Sequence, residues 1–124
     1  MNVVDSSGWL EYFTDGPNAG PFSRPILATG TLIVPSISLF EVFKRVMTQR
    51  GEDVALEAAA MMRQGRVVPL DDALALEAAR LSVEHRLPMA DSIILATARA
   101  HRATLWTQDA DFKDLQDVRY FTKA

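Results

Sequence analysis

Short apolar runs alternate with longer segments of helical pattern along the whole chain. Asn2–Val4, TLIVPS, RVVPL and TLWT read as strands, and DVRYF as a further strand near the end. SSGWLEYF reads as a short helix capped by Ser6 or Ser7. The turn-rich TDGPNAGPFSRP leads into a small helix near Phe22–Thr29. ISLFEVFKRVMTQR is a helix stopped by Gly51, and EDVALEAAAMMRQG is another with a glycine stop. DDALALEAARLSVEHRL opens with two acids suited to a helix N-terminus. MADSIILATARA follows Leu87-Pro88, where proline fits a helix start. DADFKDL reads as a turn or short helix. Strands alternating with helices predict an α/β layer around a mostly parallel central sheet of four to five strands. The length of 124 residues, without repeat or linker, predicts one domain over residues 1–124.

Composition narrows the chemistry. Cysteine is absent, which excludes disulfides, thiolate metal sites and cysteine nucleophiles. No apolar run approaches the roughly 18 residues of a membrane helix, and no leader pattern opens the chain. A cytoplasmic protein without membrane contact is the expectation. No glycine-rich phosphate loop or serine elbow occurs.

The acids carry the chemical signal. Asp91 shares a helix face with Ile94, Leu95 and Ala98, which should point inward. A carboxylate on such a face needs partners or a job. In parallel α/β sheets, sites form at the carboxyl ends of the strands. Asp5 directly follows Val3-Val4, and Asp109 follows Leu105-Trp106-Thr107 by one residue. Glu41 lies one turn into the helix after TLIVPS, and Asp91 opens the helix that leads into TLWT. All belong to one edge of the sheet, with Asp111 a fifth candidate. Each has a plainer reading. Asp5 and Asp109 can cap helices. Glu41 can pair with Lys44 or Arg45. Asp91 can gain from the helix dipole alone. Their shared edge is what distinguishes them.

Clustered carboxylates repel. A like-charge pair 4 Å apart costs about 4 kcal/mol at an effective dielectric near 20. Without a cation, some would take up protons. An all-oxygen set with no cysteine favours Mg²⁺ or Mn²⁺ over Zn²⁺, and such ions typically serve phosphate chemistry.

VVDSSGWLEYF, PSISLFEVFKR, LPMADSIILATARAHRATLWT and TQDADF, in this order, resemble the PIN-domain family. Within it they resemble the VapC-type toxins of toxin–antitoxin pairs. The resemblance implies a three-layer α/β/α fold. It implies an Mg²⁺-dependent endoribonuclease, with Mn²⁺ a substitute, in which metal-activated water cuts RNA to leave a 5′-phosphate and a 3′-hydroxyl. Asp5 and Asp91 would bind the ion most directly, and Glu41 and Asp109 would complete the site. Thr107 matches the small hydroxyl residue beside the last acid, and Ser6 the polar position after the first. The implied partners are a VapB-type antitoxin, an RNA substrate (tRNA or rRNA) and a second copy of the chain. DNA is contacted only through the antitoxin. A housekeeping RNA-processing nuclease of the same fold stays open. So does a phosphoryl-receiving signalling module, although RVVPL runs into Asp71-Asp72 rather than an acceptor position and neither Lys113 nor Lys123 ends a core strand.

The net charge of −3 would rise to +1 with two divalent ions bound, so an acidic chain could still accept RNA. Ten of the thirteen basic residues are arginine, which suits phosphate contacts. Trp9, Tyr12 and Phe13 share one helix face, readable as core or as a groove wall for an antitoxin helix. Phe40, Phe43 and Met47 form a similar stripe, read as core or dimer contact. His85 and His101 fall near helix ends, where a cationic side chain suits the dipole.

Overall fold

Five short strands form one sheet in a computed structural model that describes residues 1–123. They are β1 (Asn2–Val4), β2 (Leu32–Pro35), β3 (Arg66–Val68), β4 (Thr104–Thr107) and β5 (Val118–Tyr120). Their order is β3-β2-β1-β4-β5, and every neighbouring pair is parallel. The sheet is thus wholly parallel, and DVRYF supplies its fifth strand. Six helices connect the strands: α1 (Ser6–Phe13), α2 (Ala19–Leu27), α3 (Ser36–Arg50), α4 (Glu52–Met62), α5 (Asp72–His85) and α6 (Met89–Ala100).

Successive strand residues point to opposite faces, which splits the apolar side chains into two cores. Val3, Ile33 and Leu105 pack with Leu81 of α5 and Ile94 and Leu95 of α6. Val4, Leu32, Val34 and Trp106 pack with Trp9, Phe22, Val42, Ala55 and Met62 from the other four helices. Burial of each large side chain contributes about 1.5–3 kcal/mol. Because both faces need covering, the result is a three-layer α/β/α fold, with α5 and α6 on one side and α1 to α4 on the other.

Local chemistry sets two helix starts differently from the expectation. The cap of α1 is Asp5 rather than Ser6 or Ser7, because the helix begins directly at the strand end and Asp5 Oδ1 accepts from Gly8 N at 3.0 Å. The second helix runs Ala19–Leu27 rather than Phe22–Thr29. Pro21 stands in its first turn, where a missing N–H leaves no bond unmade. Asn18, just before it, is pinned by its backbone N–H donating to Glu11 Oε2 at 2.8 Å. DADFKDL contributes a single 3-10 turn, Ala110–Phe112.

Gly8 has a steric role. A Cβ there would lie 2.7 Å from both the Phe22 ring and Val4 Cγ1. Its absence lets α1 settle onto β1 and α2, and so holds the Asp5 turn in place. The Phe40 stripe divides: Phe43 packs against the core, whereas Phe40 is 60 % and Met47 42 % exposed. Trp9 is fully buried and stacks on Phe13 at 5.7 Å, whereas Leu10 and Phe13 border an apolar cleft between α1, α3 and α4. Among the described residues, no helix is long and apolar enough to cross a membrane.

Candidate metal centre

The strand order reverses at β1. From β1 the chain moves to β2 and β3 on one side, then crosses to β4 on the other. A crevice opens at such a switch point, outside the carboxyl ends of β1 and β4. Asp5 is the first residue after β1, Thr107 is the last of β4, and Asp109 follows two positions on.

Asp5 is 2 % exposed and is held by three donors. Ser7 Oγ donates to its Oδ1 at 2.7 Å, Gly8 N donates to the same oxygen, and Thr107 Oγ1 donates to Oδ2 at 2.8 Å. The Thr107 hydroxyl accepts in turn from Asp109 N at 2.9 Å. That contact commits the hydroxyl proton to Asp5, so the two strand ends are tied by a directed chain of hydrogen bonds. Burial pushes the Asp5 carboxyl up to about 6. The three donors oppose that rise, and the charge of Asp109 adds to it.

Asp91 sits in the first turn of α6 and is half-buried. Burial, and then the charges of Asp109, Asp5, Glu41 and Asp111, push its carboxyl up to about 7. Carboxylate oxygens of Asp91, Asp109 and Asp111 lie within 4.8 Å of one another. Asp109 Oδ1 accepts from Asp111 N at 2.9 Å, a cap that curls the 3-10 turn and brings Asp111 back toward Asp91. Glu41 lies on α3, and Ser6 Oγ donates to its Oε1 at 2.6 Å. The plain readings are therefore partly true: Asp5 and Asp109 do cap. Both also act on the cluster, because their charges help push the Asp91 carboxyl up. Glu41 pairs with neither Lys44 nor Arg45 among the described residues.

All five acids thus meet at one edge, in a different grouping from the expected one. Asp91, Asp109 and Asp111 form the tight trio. Asp5 joins through Thr107, and Glu41 through Ser6 on α1. Ser7, a cap candidate in the sequence, instead holds Asp5 together with Gly8. Their signal was available, because a hydroxyl two residues and an amide three residues after an aspartate are placed to bond it. No ion pair reaches any of the five acids among the described residues. An uncompensated oxygen-only cluster suits a divalent cation such as Mg²⁺.

A sequence profile of the family described as PIN domain matches residues 3–118. The chain belongs to the PIN domain family. No curated protein matches it by sequence. Its fold is similar to solved structures with low identity. A toxin–antitoxin complex from Klebsiella pneumoniae superposes with a TM-score of 0.82 at 21 % identity, covering 100 % of both chains. VapC20 of Mycobacterium tuberculosis, described as a sarcin–ricin loop cleaving toxin, gives 0.79 at 19 %, over 94 % of this chain and 95 % of that one. A DNA-bound VapBC from Salmonella typhimurium gives 0.77 at 16 %, over 98 % of each. In this PIN domain the acids stand where the switch point of the sheet opens.

Proposed function

We propose that this chain is one PIN domain over residues 1–124 acting as a divalent-metal-dependent endoribonuclease, the toxin of a toxin–antitoxin pair. One observation carries the reading. Five carboxylates from four separated segments converge on the switch-point crevice without a basic partner, and Asp91 is driven up to about 7 by burial and like charge. Asp5, Glu41, Asp91 and Asp109 would hold Mg²⁺, or Mn²⁺ in its place, with Asp111, Ser6 and Thr107 supporting them. The ion, when bound, supplies neutralising charge and Lewis acidity for attack by water on a phosphodiester.

The protein side chains prepare that step. The three donors on Asp5 fix its orientation, as metal-site carboxylates require. Thr107 sets the distance between Asp5 and the Asp109 turn. Ser6 holds Glu41 against rotation. The attacking water adds to phosphorus and the bond to the 3′ oxygen breaks, leaving a 5′-phosphate and a 3′-hydroxyl. The structural neighbours described as toxin, VapBC and antitoxin complexes support a VapB-type antitoxin as partner, with DNA bound through it. A homodimer in the cytoplasm, acting on tRNA or rRNA, completes the reading.

The test is cleavage of total cellular RNA by purified, antitoxin-free protein with Mg²⁺, with Mn²⁺ and with EDTA. Asp91→Asn runs alongside, and new 5′ ends are mapped. Metal-dependent cuts at defined sites, absent from the variant, are expected. No cuts with either metal from folded protein would refute the reading.

A further inference from the structure

Beside the acidic cluster, on the same edge, lies a separate cleft of about 280 Å³. This is near the lower end of small-ligand pockets, about 300 Å³. Ser7, Glu11, Arg45, Gln49, Gln108 and Lys123 line it. The cleft shares a wall with the acids. Ser7 Oγ donates to Asp5, Gln108 stands between Thr107 and Asp109, and Arg45 lies one helical turn beyond Glu41.

Gln108 is only 7 % exposed, and its partners dictate which way its amide faces. Asn18 Nδ2 lies 3.0 Å from the Thr122 carbonyl oxygen and 3.0 Å from Gln108 Oε1. A backbone carbonyl only accepts, so Asn18 must turn its NH₂ group to both contacts. Gln108 must then present its oxygen to Asn18. Its own NH₂ is left without a hydrogen-bond partner among the described residues. Gln108 Nε2 is not sealed from solvent, so its two N–H donors are open to an acceptor that enters the cleft. Arg45 and Lys123 make no ion pair among the described residues, so they remain available to phosphate.

We propose that this cleft takes the RNA base beside the scissile phosphate, and that Gln108 selects guanine or uracil, whose pairing edge carries a keto oxygen where adenine and cytosine carry an amino group. The inference rests on the ribonuclease reading above. The amide NH₂ donates to a keto edge and opposes an amino edge, where donor would face donor. Arg45 and Lys123 hold the phosphates on either side of that base.

The experiment uses the wild-type chain with Mn²⁺ on a single-stranded RNA pool of equal base composition at every position. The cut ends are sequenced. At one position flanking the cut, guanine and uracil should exceed adenine and cytosine about fivefold to tenfold, the range of one hydrogen bond. Gln108→Met should flatten that position. Gln108→Glu, which only accepts, should invert it toward adenine and cytosine. Asn18→Asp lies outside the cleft and cannot donate to Gln108. It should let the amide turn over and shift the preference the same way as Gln108→Glu. If a Gln108 variant melts early, Asn18→Asp decides. Wild-type cleavage with no base preference there, or a preference unchanged by these variants, overturns this inference alone. A wild-type chain that cuts nothing refutes the ribonuclease reading and this inference with it.

Discussion

Asp91→Asn should make the metal-free protein more stable at pH 8 while abolishing cleavage. In the folded chain Asp91 is held at about 7 and Asp5 at about 6, from an ordinary 3.8. The folded state therefore binds more protons than the unfolded one between about pH 4 and pH 7. Stability is complete below 3.8, falls as pH rises through that window, and is level above it. At one pKa unit per 1.4 kcal/mol, the Asp91 shift corresponds to about 4 kcal/mol against folding at pH 8. Asp91 is only half-buried, and solvent screening brings this to about 2 kcal/mol. Asparagine keeps the shape and removes the charge. The gain should raise Tm by about 8 °C for a chain of this size. The assay is thermal unfolding by circular dichroism in EDTA, wild type against variant, at pH 8 and at pH 4. At pH 4 the wild-type carboxyl is protonated, so the two should melt together. Equal melting at pH 8, or an equal gain at both pH values, would refute the electrostatic account of the cluster.

Further consequences can be measured in the same way. Mg²⁺ at about 100 times its Kd should stabilise the wild-type chain by about 2.7 kcal/mol at pH 8, and Asp91→Asn much less; equal shifts would place the ion elsewhere. Thr107→Val removes the hydroxyl between Asp5 and Asp109, and should cost about 10- to 100-fold in metal affinity by titration calorimetry. Gly8→Ala brings a Cβ to 2.7 Å from Phe22 and Val4, and should destabilise by about 1–3 kcal/mol in urea unfolding. Ser6→Ala frees Glu41 and should lower kcat with little change in Tm, because the pair is only part-buried.

Periodicity and local chemistry make the fold class legible along the chain. Val3/Val4, Leu32/Ile33/Val34 and Leu105/Trp106 alternate between two faces, and each strand leads into an apolar-striped helix. That pattern admits little besides a parallel sheet covered on both sides. The edge on which Asp5, Glu41, Asp91 and Asp109 gather was legible too, because a strand's carboxyl end and the next helix's start are neighbours along the chain. Distance in space was not. That Asp111 rather than Asp5 closes the tight trio with Asp91 and Asp109 depends on the curl of Ala110–Phe112, and that Asn18 reaches Gln108 depends on where α2 starts. The place of the crevice depends on strand order, since the same elements could have been wound with β1 at an edge. Only the packed tertiary structure decides these points. Hydrogen bonds and charge pairs act over a few ångströms, and the residues they join lie as many as 104 positions apart.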